Sequence, residues 1–410
     1  MSIAEADATL DSFEPSDPNL YLNDTWHEGF RRLRDEDPVH YQPASRYGPY
    51  WSITRYDDIS AVLLDHSNFS SDGDLGGVLI GNLPPDKDLP SFIRMDPPRH
   101  TEQRKTVAPI VGPSNLAKLE DTIRQRTGAV LDGLPRGEDF DWVEHVSIPL
   151  TTMMLATLFD FPWEDRHLLT WWSDVSVAMT HAPDSPVSSN AERQAELDKM
   201  ADYFEALWKE RAAAPPKFDL ISMMAHNPAT NAMTRQEFAG TLALLIVGGN
   251  DTTRNTMSGG LLALHENPDE ERKLRADPSL AEKAMLEMIR WQTPVIHVRR
   301  TAKADVDVQG HRIRKGDKVV LWYISGNRDE RSLVEPDRFI IDRDKPRRHL
   351  SFGAGIHRCV GDRLAEQQLR ILWEEVLARD LRIEVTGEPL RLYSNFLRGI
   401  RKLPARIAAS

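Results

Sequence analysis

Apolar residues recur three and four positions apart at Phe238, Leu242, Leu245 and Gly249, then Met257, Leu261 and Leu264. That spacing is one face of a long helix running through the glycine pair Gly248-Gly249. A second periodic face, Leu364, Ala365, Gln368, Leu369, Leu372 and Val376, predicts a helix shortly after Cys359. From Leu116 to His265 the pattern is mostly helical, broken by turn chemistry at His181–Pro186 and at Ala214-Pro215-Pro216. Shorter helices are predicted at Trp26–Arg34, Ile59–Leu64 and Ala281–Trp291. Strands are expected at Val39–Tyr41 and Tyr50–Ile53, around the turn at Gly48-Pro49, then at Val306–Val308, Ile313 and Lys318–Tyr323, and again near both ends of the C-terminal segment. Residues 72–98 form a long irregular stretch, and loops of that length are uncommon unless functional. The fold class is mainly α with a small β region. No linker, repeat or low-complexity block divides residues 1–410, which points to a single unit.

Composition narrows the field. Forty per cent apolar residues supply a sizeable core, and a net charge of −12 argues against nucleic acid or an anionic membrane as partner. The longest smooth apolar run, Leu242–Gly249, is too short to anchor the chain in a bilayer. Met1–Pro18 is acidic and lacks a signal peptide's apolar core. One cysteine in 410 residues excludes an internal disulfide and fits a reducing compartment, so a cytoplasmic location is expected.

That cysteine stands in Ser351-Phe352-Gly353-Ala354-Gly355-Ile356-His357-Arg358-Cys359-Val360-Gly361. Glycines let the backbone bend and approach a bulky object, and a helix start with Arg358 adjacent should favour a thiolate. Alone, such a cysteine is more often a buried, inert side chain. In the long helix, Gly248-Gly249-Asn250-Asp251-Thr252-Thr253 gathers poor helix formers into one turn, the two glycines alone costing about 1 kcal/mol each. Thr252 can bond back to the Gly248 carbonyl. So many unfavourable choices in one place point to function, since the periodicity continues beyond and excludes a helix end.

Phe352, Gly355, His357, Cys359 and Gly361 fill the Phe-x-x-Gly-x-His-x-Cys-x-Gly pattern, and the chain resembles the cytochromes P450 over essentially its whole length. The resemblance implies a single haem domain spanning 1–410. The implied fold is a triangular helix-rich prism holding heme b between the long kinked helix and the thiolate-loop helix. It makes Cys359 the axial iron ligand, with Phe352 beside the sulfur, a ligation that favours O–O cleavage. It gives Gly249 a place in the oxygen-binding groove, Thr252 a supporting role in a proton relay, and Asp251 the delivery of protons. His100, Arg104, Arg300 and His357 become partners of the haem propionates, with Arg299 an open alternative to Arg300. Glu287, Arg290 and Arg338 become the buried network that holds the thiolate loop. The 72–98 stretch then covers the distal face, and the His181–Pro186 turn is a mobile lid.

Within the family the chain is similar to the bacterial alkane terminal hydroxylases, through stretches such as Gly248–Asn255, Ile289–Pro294, Trp322–Asp329 and Arg370–Glu375. The implied activity is insertion of one oxygen atom from O₂ into the terminal methyl of medium-chain alkanes or related chains. Terpenes, fatty acids and other natural products are the alternative substrates. Candidate pocket walls are Val78, Leu79, Ile80, Leu245, Gly249, Val295, Ile296, Phe396 and Leu397. No reductase module is fused, so an external ferredoxin and its reductase are implied. A basic cluster of Arg343, Lys345, Arg347, Arg348, Arg358 and Arg363 is the expected docking face. A haem-based oxygen carrier would not need Asp251 and Thr252, and a peroxygenase would replace them.

Overall fold

The computed structural model describes residues 10–82, 89–182 and 185–408. The first nine residues, part of the 72–98 stretch and two positions of the expected lid lie outside the described residues. Helices dominate and strands are few, as the periodicity implies. The helix Arg235–Glu266 is continuous through Gly248-Gly249, so no helix end falls there. Its start is fixed by a capping box: Thr234 and Glu237 each accept from the other's backbone N–H.

Two apolar clusters grip this helix from opposite ends. Toward its C-terminus, Met257 and Leu261 pack with Met288 of the helix Ala281–Gln292 and with Leu369, Leu372 and Trp373 of the helix Asp362–Ala378. Toward its N-terminus, Leu242 and Ile246 pack with Phe159, Trp172 and Phe204 from the helices Ile148–Phe159, His167–Val177 and Asn190–Ala213. Full burial of each large apolar side chain contributes about 1.5–3 kcal/mol, so the glycine-rich middle is held by packing on both sides.

The largest sheet has five strands in the order Val39–Gln42, Tyr50–Ile53, Lys318–Leu321, Val298–Ala302 and Phe69–Ser70. All neighbours are antiparallel except the pair of Tyr50–Ile53 with Lys318–Leu321. Three strands escape the sequence pattern, the short Phe69–Ser70 among them. Val298–Ala302 is buried along its whole length although it carries Arg299 and Arg300, because both arginines find carbonyl acceptors, of Leu75 and of Arg299. Asp139–Asp141 interrupts the mainly helical region by pairing with Pro404–Ile407. Tyr323 is not a strand residue; it starts the short helix Tyr323–Gly326.

A buried polar network locks the cysteine loop to the helix Ala281–Gln292. Arg290 donates to both carboxylate oxygens of Glu287, at 2.8 and 2.7 Å. The third member is Arg343, not Arg338 as the pattern suggested. Arg343 is buried and donates to both Glu287 oxygens at 3.1 Å. The Arg338 side chain is exposed and pairs with Glu335; only its backbone carbonyl joins, accepting from Arg290 and Arg343. The network then reaches Asn327, whose carbonyl accepts from Arg290. The Asn327 side chain bonds to Thr293, to Ser351 and to the Leu350 N–H at 2.8, 2.9 and 2.6 Å.

Removing one member of a buried ion cluster typically costs about 3–5 kcal/mol, against under about 1 kcal/mol for an exposed pair. Arg343→Ala should therefore lower the urea midpoint strongly, or prevent folding, while Arg338→Ala leaves it nearly unchanged. Equal effects of the two substitutions would contradict this network.

Candidate active site

Two glycines shape the cysteine loop. Gly353 and Gly355 adopt φ of +67° and +68°. A Cβ on Gly355 would stand 2.5 Å from the Leu63 carbonyl oxygen, so only glycine lets the loop pass that close to the helix Tyr56–Leu64. The Cys359 N–H then donates to the Phe352 carbonyl at 2.8 Å, closing the loop. The helix Asp362–Ala378 begins three residues further on, with Gly361 as its cap.

Cys359 is accessible, and the space it meets is an internal cavity of about 250 Å³. Burial pushes its thiol up to about 11; the Gly361 N–H, Arg104 and Arg358 oppose that shift without cancelling it. The helix start and Arg358 therefore act in the expected direction but do not alone produce a thiolate. A bound metal cation would do so, because coordination deprotonates a thiol outright.

Across the cavity stand Gly248, Gly249 and Thr252 of the long helix. The Thr252 hydroxyl donates to the Gly248 carbonyl at 2.8 Å, the back-bond its spacing predicts. Asp251, one residue away, is fully buried and outside the cavity wall. Its carboxylate accepts from Ser173 at 2.9 Å and pairs with Arg254, which also reaches Asp174 at 2.8 Å. Burial pushes the Asp251 carboxyl up; Arg254 opposes the shift, Asp174 adds to it and the Ser173 bond opposes it. A buried acid thus connects through Arg254 to Asp174, whose side chain is 37% exposed.

The cavity's basic edge is built by Arg104 and His357, with His100 and Arg300 beside His357 but off the lining. The rings of His100 and His357 lie 4.2 Å apart. Both His100 nitrogens and Nε2 of His357 are buried without a hydrogen-bond partner. Burial, then the charge of Arg104, pushes His100 down to about 4; burial, Arg300 and His100 push His357 down to about 2. Burial also lowers Arg300, which feels Tyr323 and Asp96. Arg104 donates to the Arg358 carbonyl at 2.6 Å, bridging this edge to the cysteine loop. Arg299 turns to the other side of its strand, donating to the Leu75 carbonyl and to Asn82. The geometry of the two arginines therefore favours Arg300. A thiol facing an apolar slot whose edge carries orphaned imidazoles and cations fits a flat macrocycle with anionic substituents.

The candidate walls divide. Val78, Leu245, Gly249, Val295 and Phe396 line the cavity. Ile80 and Ile296 do not; they pack with Trp26, Phe30 and Trp322 in a separate aromatic cluster. Leu79 and Leu397 are also absent from the lining, although Leu397 bridges to Val295. Alternation explains the pair Val295 and Ile296, since neighbours in an extended segment point opposite ways; Ile80 is turned away by the bends at residues 78–80. Sequence reasoning missed Phe92, Leu155, Leu158, Leu220 and Leu244 among others of the apolar wall. Leu244 and Gly248 were legible from the helical period, four residues before and at the glycine pair. Nothing local marks Leu220.

This fold and slot define a haem-binding class. The family model described as "Cytochrome P450" matches residues 27–396, and the chain belongs to the cytochrome P450 family. It is 48% identical, with a TM-score of 0.90, to cytochrome P450-153 from Novosphingobium aromaticivorans, covering 96% of this chain and 99% of that one. It is 47% identical, with a TM-score of 0.91, to CYP153D17 from Sphingomonas sp. PAMC 26605, covering 98% and 100%. Linalool 8-monooxygenase of Pseudomonas putida is 37% identical over 94% of this chain and 96% of its own length. The protein is a cytochrome P450 monooxygenase. The family implies haem with a cysteine thiolate ligand and an external source of electrons. Among the described residues no helix is long and apolar enough to cross a membrane.

The two cavity glycines make different predictions. A Cβ on Gly248 meets nothing within 4 Å, whereas one on Gly249 would lie 2.7 Å from Leu155 Cδ2. Each glycine-to-alanine change gains about 1 kcal/mol of helix propensity, but overpacking costs about 1–3 kcal/mol. Gly248→Ala should raise the Tm and shrink the cavity, whereas Gly249→Ala should hold or lower the Tm. Thermal unfolding of both variants checks the sign.

Proposed function

We propose that the protein hydroxylates the terminal methyl of medium-chain alkanes or related alkyl chains, using O₂ and two electrons from an external ferredoxin. The observation that carries this reading is the character of the cavity wall away from Cys359. Val78, Phe92, Leu220, Leu244, Leu245, Val295 and Phe396 present only hydrocarbon; the basic lining groups, Arg104 and the uncharged imidazole of His357, lie by the cysteine loop. The likeness to the two P450-153 structures supports the same reading.

Cys359 would hold haem iron, and His100, Arg104, Arg300 and His357 would hold its propionates. The bound haem supplies the activation of O₂; the chain supplies positioning and protons. Thr252 presents a hydroxyl at the cavity, and Asp251 behind it holds a proton, with Ser173 donating to its carboxylate and Arg254 tying it to the half-exposed Asp174. Terminal C–H bonds are stronger than those of the neighbouring methylenes, so terminal attack needs a wall that presents only the chain end. Each buried methylene is worth about 0.8 kcal/mol, which discriminates neighbouring chain lengths only roughly 10- to 200-fold. Several lengths should be accepted. Ferredoxin docks on the face carrying Arg347, Arg348 and Arg358, and residues 1–410 act as one haem domain.

A second reading, a terpene as substrate, is supported by the likeness to linalool 8-monooxygenase. Spectral titration with alkanes, fatty acids and terpenes separates the two: tightest binding of an alkane supports the first reading. Product analysis should give mainly primary alcohol, and Val295→Ala should raise the subterminal share. Mainly subterminal alcohol from the unmodified enzyme would overturn terminal hydroxylation.

Thr252→Ala should keep consuming NADH and O₂ but release more peroxide and less product. Asp251→Asn should slow turnover by about 10²-fold or more, the size of a lost proton-transfer step. Unchanged product per NADH in Thr252→Ala would remove Thr252 from the proton path.

A further inference from the structure

A surface depression of about 290 Å³ lies between the helix His27–Glu36 and the end of the helix Ala281–Gln292. It shares no lining residue with the cavity at Cys359. Its walls are flat. The His27 ring stacks on Trp26 with centroids 3.7 Å apart, and the Arg328 guanidinium lies over Trp291, 3.9 Å from the ring centre. Arg31 and Arg34 also line the depression, but each is already compensated. Arg31 pairs with Glu28 at 2.6 Å and Asp35 at 3.3 Å, and Arg34 with Glu330 at 3.2 Å.

Arg328 is not compensated in this way. It is 2% exposed, and its Nε and Nη1 are buried without a hydrogen-bond partner. Among the described residues its side chain makes one hydrogen bond, from Nη2 to the Trp291 carbonyl at 3.3 Å. The one carboxylate within 4 Å belongs to Asp337, whose Oδ1 stands 3.8 Å from Nε, beyond hydrogen-bond reach. Burial, then the charges of Arg290 and Arg398, work against the Arg328 cation, while Asp337 and Glu287 support it. Glu287 is already held by Arg290 and Arg343. A guanidinium does not shed its proton in a protein, so this charge is not relieved by neutralisation. A buried, under-paired cation is costly, and an anion relieves it.

We propose that this depression binds a small planar monocarboxylate, its charged group on Arg328 and its flat body against Trp26, His27 and Trp291. A carboxylate matches the planar guanidinium, and aromatic faces favour a flat apolar body. Glu28 and Asp337 line the same depression and are both exposed, so a dianion meets stronger repulsion there than a monoanion does. Asp337 is also the competitor. Its carboxylate approaches the Nε that the ligand would use, and it turns outward to admit one. Arg290 belongs to the clamp on the cysteine loop, and its charge opposes that of Arg328. An anion on Arg328 offsets that repulsion, and any ligand of the folded state stabilises it.

The test uses haem-loaded protein, with sodium benzoate as probe and sodium chloride at equal concentration as the ionic-strength control. Calorimetry reads the Kd and thermal unfolding the Tm, while the Soret band reports whether the probe enters the haem cavity instead. Benzoate should raise the Tm beyond chloride and leave the Soret band unmoved. Arg328→Gln should weaken benzoate binding at least about tenfold. Asp337→Asn, a change at an exposed side chain, should tighten it about fivefold by removing the competing charge. Asp202→Asn, at an exposed position on the helix Asn190–Ala213, is the control and should leave the Kd unchanged. A Tm response no larger than chloride's, or no tightening in Asp337→Asn, overturns the site even if Arg328→Gln fails to fold. A Soret shift on adding benzoate places the probe in the haem cavity and overturns it equally. Tighter binding of inorganic phosphate than of benzoate overturns the monocarboxylate assignment.

Discussion

The structure depends on holding one cysteine still against a large flat ligand. A ten-residue loop has little hydrogen bonding of its own, and a metal ligand that wanders costs both affinity and redox control. The solution is a buried clamp: Glu287 with Arg290 and Arg343, then Asn327, then Leu350 and Ser351 at the root of the loop. Three ionised groups in the interior are costly, and a hydrophobic replacement is often as stable. What the charges provide is geometry. Each hydrogen bond fixes a direction, and together they tie the helix Ala281–Gln292 to the segment leading into Cys359.

The opposite wall is built by the contrary device. The long helix is weakened at Gly248-Gly249, where side chains are removed to leave space, and the loss is made good by the clusters of apolar side chains at either end. The polar groups of that turn divide by face: Thr252 toward the cavity, Asp251 away from it toward Ser173 and Arg254. A proton-holding acid is thereby kept out of the hydrocarbon slot while staying one residue from it. Burial raises its affinity for a proton, and the half-open Asp174 gives the group a route to solvent.

Much of this was legible in the chain. The loop motif, the helix through the double glycine, the Thr252 back-bond and the early hairpin follow from spacing and turn chemistry. Several misreadings share a cause, that local pattern cannot say which of two neighbouring side chains turns inward. Arg343 replaces Arg338 because the chain between Pro336 and Arg343 offers a carbonyl, not a guanidinium, at Arg338. Ile296 falls on the far side of its segment from Val295, and bends at residues 78–80 turn Ile80 into the cluster of Trp26, Phe30 and Trp322. Val298–Ala302 hides as a strand because its two arginines are satisfied in the fold, Arg299 by Leu75 and Asn82 far away in sequence and Arg300 by the carbonyl of Arg299. At Cys359 the helix start and Arg358 favour the thiolate as expected, but burial, which local pattern does not show, outweighs them.

All of these arguments converge on Cys359 as the group that takes the haem iron. The most direct measurement is the absorption spectrum of the reduced, carbon monoxide-bound protein, taken for the unmodified chain and for Cys359→Ser. Thiolate ligation predicts a strongly red-shifted Soret band in the first and its loss in the second, with the protein still folded by circular dichroism. A red-shifted band that survives the substitution would contradict the account at its centre.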